Sequence, residues 1–511
     1  MDQPLSIAEF MRELESASQG AGAGIELLLR TMEPDAARLL RAAAIPHAFN
    51  ADLLRVLEPD LDGAEADRLC LQFLRLSMVT SVEGMLRLHD EARQHLFRWW
   101  LADERRPTFG SLSDRLAKHF AAEAERTTGA EQTAAANRHI YHLLGADLPA
   151  GFDAFRARFR EARAQFAIAE CEALLGLVKE YGALIDPVRQ LWITHFDGNL
   201  YSDQRRFGDA ERAYRAVLSD GSAPADLKAG SFYRLGHLER DQRRWNDAKA
   251  AYGQALTILR AAPQADDLEY RVLDGLAAAQ RESGELDQAE QTLQASIKLA
   301  NGKQDLPALA NSYNSLGLLL QARRDTQPAI VQFEKSVALF EQLKAPFQQA
   351  QVFNNLGLAY SDMTEWAKSR DYFERCLAIE RERAHTLGQA KTLANLMRVY
   401  YSSNEESKGR DAADRAAGFF IDLRDWFHAG IVKRDFGRIL RRRKHFQEAR
   451  KAFGEAHALF RQAGAEEEIA AIQQETEQVE KHHGMPWYVW VALGVLGLFI
   501  ALIIVVAAYD L

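Results

Sequence analysis

The fold of this chain is decided by a stretch in its second half, which reads FNNLGLAY at 353–360 and WAKSRDYFERCLAIE at 366–380. A small residue, Gly357, is followed twelve positions on by a second, Ser369, and four positions further by the aromatic Phe373. The pattern predicts two amphipathic helices joined by a short polar turn. Small residues are needed where two helices cross, because a larger side chain would push the backbones apart. The aromatic stands on the same helix face and fills the adjoining gap.

The same spacing recurs along the second half of the chain, so the unit is a repeat. The first position of each unit falls at intervals of 38, 41, 40, 40, 40 and 40 residues, at Gly198, Gly236, Ala277, Gly317, Gly357, Met397 and Gly437. The sixth unit departs from the pattern. Met397 replaces the small residue, and Gly409 stands where alanine is expected, in a turn at 404–409 that we expect to be extended.

This small–small–aromatic pattern resembles the tetratricopeptide repeat (TPR) family, in its longer variety of about 40 residues per repeat. The resemblance covers roughly half of the chain. It implies a mainly α fold, an α-solenoid (a TPR superhelix) of about seven repeats over residues 189–465. The first helices of such arrays line a groove that binds peptides or partner proteins.

The two ends of the chain differ sharply. Residues 1–24 are polar or glycine-rich and are expected to be flexible, with no signal peptide. Residues 485–509 carry no charge and are long enough to cross a bilayer as a helix, which takes ~20 residues. Aromatic residues of the kind that anchor a span at the membrane interface are Trp487, Tyr488, Trp490 and Tyr509.

These ends predict a single C-terminal transmembrane helix preceded by a juxtamembrane segment at 466–484. The expected localisation is a membrane, single-pass, with the N-terminal bulk in the cytoplasm, and the Ala/Arg-rich composition points to a bacterial inner membrane. The run Arg441 to Lys444 is open to two interpretations, a contact with anionic lipid headgroups or an ordinary solvated turn.

Residues 25–110 have a different character, because helical patterns are followed by a period-two pattern at 78–88 that predicts a β-hairpin. The run RLHDEARQHL at 87–96 resembles the end of the winged-helix domain of STAND-type signalling ATPases, and residues 111–188 resemble the helical connector of that family. No G-x-x-x-x-G-K-[ST] motif occurs anywhere in the chain. The resemblance therefore implies a regulatory half that lacks the ATPase, with a separate NTPase as a conceivable partner.

Composition and motifs exclude several classes of function. A net charge of −9 argues against a general nucleic-acid binder. The three cysteines, Cys70, Cys171 and Cys376, are far apart and predict neither disulfides nor a zinc site. Because no catalytic or metal-ligating motif is present, we expect no enzymatic activity, no cofactor and no small-molecule substrate.

The candidate binding surface is the groove lined by the first helices. Asparagine amides can pair with both donors and acceptors of an extended peptide, and arginines suit carboxylates. Each position is equally consistent with an ordinary solvated polar residue. The candidate residues are Arg234, His237, Asn314, Ser315, Asn354, Asn355, Asn395, Arg398, Asp435 and Arg438.

Three functions follow from these features. The first is a tail-anchored TPR adaptor that holds a partner protein or peptide at a membrane bilayer. The second is a sensor or regulatory subunit of a STAND-like system that acts with a separate ATPase or effector. The third, a membrane-tethered winged-helix regulator that binds DNA, is disfavoured because acidic residues surround the start of the helix that would enter the groove.

Overall fold

The computed structural model describes residues 21–164, 167–261 and 268–482. The chain divides into two compact units with their boundary after Leu238, and each is taken here by itself. Nearly all regular structure is helical, as the repeat pattern predicts.

The first unit begins with short helices and a hairpin. Its elements, in chain order, are α1 (Ala21–Thr31), α2 (Pro34–Ala42), α3 (Ala51–Leu57), α4 (Gly63–Leu74), β1 (Val79–Val82), β2 (Met85–Leu88), α5 (Asp90–Trp100), α6 (Arg106–Arg126), α7 (Gly129–Ala146), α8 (Leu148–Ala164), α9 (Ile168–Glu180), α10 (Pro187–Asp203) and α11 (Phe207–Ser219).

The predicted hairpin is present. Strands β1 and β2 pair antiparallel with Val79 opposite Leu88, and Phe49 forms an additional bridge to Leu86. Because successive side chains of β2 point to opposite faces, Leu86 and Leu88 lie in the core beneath the hairpin while Arg87 faces outward. The sequence therefore predicted these elements correctly, although the winged-helix assignment itself is not confirmed.

Helix α1 begins at Ala21, so residues 21–24, which were expected to be flexible, are helical. Gly22 is used for close approach, because a Cβ there would lie 2.6 Å from the imidazole Nδ1 of His95 on α5. Helix packing therefore explains Gly22 but not Gly24, which has nothing within 4 Å.

The second unit is an array of helix pairs. Helix α12 (Ala225–Asp241) crosses the boundary and lies mostly in the first unit. The elements that lie wholly in the second unit are α13 (Trp245–Ala261), α14 (Leu268–Glu282), α15 (Leu286–Gly302), α16 (Leu306–Ala322), α17 (Thr326–Gln342), α18 (Pro346–Asp362), α19 (Trp366–Glu382), α20 (Thr386–Ser402), α21 (Glu406–Asp422), α22 (Trp426–Arg442), α23 (Phe446–Ala463) and α24 (Glu466–His482).

The small residues lie at the helix crossings, as predicted. A Cβ added to Gly357 would lie 2.7 Å from Cε1 of Phe373, and one added to Gly317 would lie 2.5 Å from Cε1 of Phe333. Real carbon atoms do not approach this closely, so any larger residue would force the two helices apart.

In the sixth helix pair the first helix carries a larger residue at the crossing and the second helix carries a glycine. Met397 is buried on α20, and the ring of Tyr401 from that helix lies over Gly409 of α21, where an added Cβ would be 2.6 Å from Cδ2. The expectation of an extended turn at 404–409 is wrong. Helix α20 ends at Ser402 and α21 begins at Glu406, so the turn is as short as the others.

The turns share one geometry with a period of 20 residues. Each has a left-handed residue just after a helix, and its neighbour bonds back into the last turn, as when Asp325 N–H donates to Leu320 O at 2.9 Å. These left-handed residues are Gly284, Gln304, Arg324, Lys344, Thr364, Ala384, Asn404, Arg424, Lys444 and Gly464.

The segment predicted to be a juxtamembrane linker, 466–484, instead forms α24 up to His482. It packs on α23 and buries Ile472 and Val479 in the core of the last repeats. Since it starts 40 residues after α22, it occupies the place of a further first helix and closes the array.

The predicted membrane span requires correction. Among the residues that the structure describes, no helix combines the length and the apolar character needed to cross a bilayer. Helix α24, for example, carries three glutamates in its first turn. The predicted span at 485–509, with Trp487, Tyr488, Trp490 and Tyr509, lies outside the described residues. The fold class with a transmembrane helix and the membrane localisation are accordingly withdrawn in favour of a helical solenoid.

Candidate functional site

The first helices of the second unit form a continuous face. Consecutive members of the series α14, α16, α18, α20 and α22 touch one another directly. Each repeat contributes two positions to this face, which lie three and two residues before its small residue. Most of the candidate residues occupy these positions.

Four of the predicted asparagines form a ladder between neighbouring repeats. Asn355 Nδ2 donates to Asn314 Oδ1 at 2.8 Å, and the same bond recurs one repeat later, from Asn395 Nδ2 to Asn354 Oδ1 at 3.0 Å. Each bond joins residues 41 apart, which is one repeat plus one position. The structure therefore brings together residues that the sequence placed on separate helices. This set, Asn314, Asn354, Asn355 and Asn395, is called the asparagine ladder below.

Each ladder amide uses only half of its hydrogen-bonding capacity. Among the described residues, nothing bonds to the donor half of Asn314 or Asn354 or to the acceptor half of Asn355 or Asn395. All four side chains are half-buried, so they are held in place yet reachable. A surface with alternating free amide donors and acceptors is suited to an extended peptide backbone, whose own groups alternate in the same way.

Asp274 occupies the ladder register one repeat earlier, on α14. The Ser312 hydroxyl donates to Asp274 Oδ1 at 3.1 Å, and the hydroxyls of Ser312 and Ser296 are 2.8 Å apart. Burial raises the pKa of the Asp274 carboxyl group to about 7, against the opposing effect of the two serines. The face therefore begins with a carboxyl group that titrates near neutral pH.

The other end of the face is covered by the chain itself. Arg438 Nε donates to Glu475 Oε1 of α24 at 2.7 Å, and Asp435 lies 3.5 Å from Arg438. A second pair, Arg434 with Glu468, joins the same two helices. The predicted groove residues Asp435 and Arg438 therefore serve contacts with the closing helix.

Arg398 differs from these residues, because it is exposed and has no bonding partner for its side chain among the described residues. It lies at the C-terminal half of α20 and lines a cavity of about 310 Å³ together with residues from α18, α19 and α22. Ser315 is half-buried on α16 beside Asn314, with no side-chain bond among the described residues.

Arg234 and His237 belong to the first unit by the division of the chain, and both lie on α12. The guanidinium of Arg234 lies 5.3 Å from the ring of Tyr233, and the ring of His237 packs edge-on against the same tyrosine at 4.6 Å.

The first unit contains its own polar cavity, of about 630 Å³, walled by α5 and the end of α9. Arg93 donates to Glu180 Oε2 at 3.0 Å and to the Tyr141 hydroxyl at 2.6 Å, and His47 Nε2 lies 2.8 Å from Glu180 Oε1. Burial would raise the pKa of Glu180, but the bonds and charges of His47 and Arg93 prevail and lower it to about 2. Glu180 is thus an ionised structural partner and a poor proton acceptor.

The residues missed by sequence reasoning are Asp274 and most of the wall around Arg398. Asp274 was detectable, since it stands 40 residues before Asn314 in the same register. The cavity wall was not, because it combines Ser361, Trp366, Tyr401, Ser402, Ile439, Arg442 and Arg443 from three repeats.

Helix pairs with small residues at their crossings and a polar face on the first helices define a tetratricopeptide-repeat array. Models of the tetratricopeptide repeat family match residues 272–342 and 350–385, which confirms the repeat type predicted from the sequence. No curated protein matches the chain.

Several solved structures are similar to this chain. A STAND protein with a tetratricopeptide repeat sensor from Pyrococcus horikoshii is 14% identical, covering 94% of this chain and 67% of its own, with a TM-score of 0.52. A Rap protein complexed with competence and sporulation factor is 13% identical, covering 65% and 98%, with a TM-score of 0.45. BtubC from P. vanneervenii is 20% identical, covering 43% and 92%, with a TM-score of 0.37. At these identities the likeness concerns the fold alone.

Proposed function

We propose that this chain is a non-enzymatic scaffold that captures an extended segment of a partner protein on its first-helix face. The observation that carries the proposal is the asparagine ladder, in which each amide is fixed by one bond and keeps its other half free. A fixed amide loses little side-chain entropy when it binds a ligand, so pre-organisation favours affinity.

In this proposal the regions before the repeats have a supporting role. Residues 25–110, with their winged-helix-like order of helices and hairpin, and the helical connector at 111–188 act as a packing module for protein contacts. The array at 189–465, closed by α24, carries the ligand site. This division of labour follows the domain organisation expected from the sequence.

The test is a selection of random displayed peptides on the full chain, followed by affinity measurements on the selected peptides. The variant replaces Asn354, Asn355 and Asn395 with alanine. Each lost hydrogen bond is expected to cost about 1 kcal/mol, so the three together should weaken binding roughly 100-fold. Asn246→Ala, at an exposed position on α13, is the matched control and should leave the affinity unchanged.

Thermal melting of both variants separates binding from folding. If the triple variant melts normally and binds the selected peptides as well as the control does, the groove assignment is wrong. If no peptide is enriched above background on the native chain, capture of an extended segment is refuted.

A second function is favoured by one observation, the shared fold with a STAND protein over 94% of this chain. Since the sequence has no phosphate-binding P-loop motif, we propose as the alternative that the chain is a sensor or regulatory subunit for a separate NTPase. A nucleotide-hydrolysing protein that co-purifies with the tagged chain in stoichiometric amount would favour this alternative. A set of stable partners without any NTPase would count against it.

A further inference from the structure

The cavity beside Arg398 has a composition that the groove hypothesis does not explain. It has a volume of about 310 Å³ and lies where α18, α20 and α22 end. Trp366 and Ile439 supply an apolar wall, and the remaining lining residues are arginine, serine and tyrosine. No aspartate or glutamate lines it.

Four of the lining groups can donate hydrogen bonds and have no acceptor among the described residues. The guanidinium groups of Arg398 and Arg442 are exposed and unpaired there, and the Ser361 hydroxyl makes no bond. Tyr401 is only 2% exposed, and its buried hydroxyl also has no partner. Because this hydroxyl has almost no accessible surface, the donors that a ligand in the cavity can meet are the two guanidinium groups and the Ser361 hydroxyl.

Arg443, the third arginine of the cavity, already has hydrogen-bond partners within the chain. Arg443 donates to Glu406 Oε1 and Asn404 Oδ1, both at 2.8 Å, and also to the backbone carbonyl of Tyr401. Its charge is therefore neutralised by Glu406. The remaining charge of the pocket is the pair of guanidinium groups on Arg398 and Arg442.

From these contacts we propose that the pocket binds a phosphate monoester carried on a flat organic group. Two unpaired guanidinium groups match the charge of −1.5 to −2 of such an ester near neutral pH, and its three terminal oxygens can accept from several donors at once. The indole of Trp366 provides a face for a planar carrier. A carboxylate has half the charge and fewer oxygens, so it would leave donors unsatisfied.

The use of this pocket in partner capture rests on the proposed function, since Arg398 also belongs to the predicted groove. Its affinity for a phosphate ester does not, because it can be measured without any peptide. The two ideas can therefore fail separately: the triple asparagine variant should bind the ester normally.

The experiment is isothermal titration of the full chain with phenyl phosphate at pH 8 and constant ionic strength. Arg398→Gln and Arg442→Gln should each weaken binding about tenfold, because each removes a charge-assisted bond. Arg381→Gln, an exposed arginine on α19 outside the pocket, should bind as the native chain does. Trp366→Ala should reduce the preference for phenyl phosphate over inorganic phosphate.

Benzoate is the discriminating ligand, because it keeps the ring and exchanges the phosphate for a carboxylate. The proposal expects benzoate to bind at least about tenfold more weakly than phenyl phosphate. It is overturned if benzoate binds equally well, if millimolar phenyl phosphate gives no heat of binding, or if the two arginine variants match the Arg381→Gln control. Both arginines are exposed and make no structural bond among the described residues, so their replacement should not impair folding.

Discussion

Asp274 offers a test of the electrostatics of the first-helix face. Its carboxyl group lies on α14 against the hydroxyls of Ser296 and Ser312, and burial raises its pKa from 3.8 to about 7. Between these two values the folded chain binds a proton that the unfolded chain has released. The contribution of Asp274 to stability is therefore greatest below about pH 4, falls as the pH rises towards 7, and stays lower above it.

The magnitude follows from the interval between the two pKa values. That interval corresponds to at most ~4 kcal/mol of stability. Since the Asp274 side chain keeps some exposure to solvent, we expect about half of that, ~2 kcal/mol. Asp274→Asn preserves the oxygen that accepts from Ser312 and removes the charge. The variant should match the native chain below about pH 4 and become progressively more stable than it as the pH rises, by ~2 kcal/mol at pH 8.

Hydrogen exchange is the appropriate assay, because it reports stability amide by amide and therefore shows the effect in the repeats that hold Asp274. At pH 8 the slowest amides of residues 268–322 should exchange about 30-fold more slowly in the variant than in the native chain, and below about pH 4 the two should agree. Asp422→Asn, exposed at the end of α21, is the control. If the effect of Asp274→Asn is the same at both pH values, the carboxyl group does not titrate as argued.

Two further substitutions test the packing and the turns. Gly357→Ala places a Cβ 2.7 Å from the Phe373 ring and should destabilise the array by ~1–3 kcal/mol, whereas Gly418→Ala, with nothing within 4 Å, should stabilise it by about 0.5 kcal/mol, both read as shifts of the urea midpoint. Equal shifts would contradict the crossing argument. Thr364→Gly relieves a β-branched residue in a left-handed turn with φ of 59° and should raise the urea midpoint by the equivalent of about 0.5–1 kcal/mol. An unchanged or lower midpoint would show that this turn is not strained.

Much of the fold could be predicted because the rule for helix crossings is local in sequence. The spacing between Gly357, Ser369 and Phe373 lies within one helix pair, so sequence alone was enough to locate it. The exchange in the sixth pair could not be predicted in the same way. Met397 and Gly409 look like two losses of the pattern, and only the position of the Tyr401 ring over Gly409 shows that they compensate each other.

The turns illustrate a second limit. Left-handed residues recur every 20 positions, yet glycine, the residue that adopts this conformation freely, occupies only the two ends of the series, at 284 and 464. Between them stand Thr364, Ala384 and other non-glycine residues, of which only Asn404 is of a type that adopts this conformation readily. The helix pair imposes the conformation, because the next helix must start where its apolar face meets the previous one.

The extent of the asparagine ladder could be determined only from the sequence and the structure together. Each ladder bond starts two residues before the small residue of one repeat and ends three residues before the small residue of the preceding repeat. The two residues are therefore 41 apart, and both must be amides. The next step along the chain would join Asp435 to Ala394, which has no polar group, and the carboxylate of Asp435 lies near Arg438 instead. The ladder must therefore end at Asn395. In the proposed binding mode, amide contacts with a ligand backbone would be confined to three repeats, because beyond them the polar residues make charged contacts with α24.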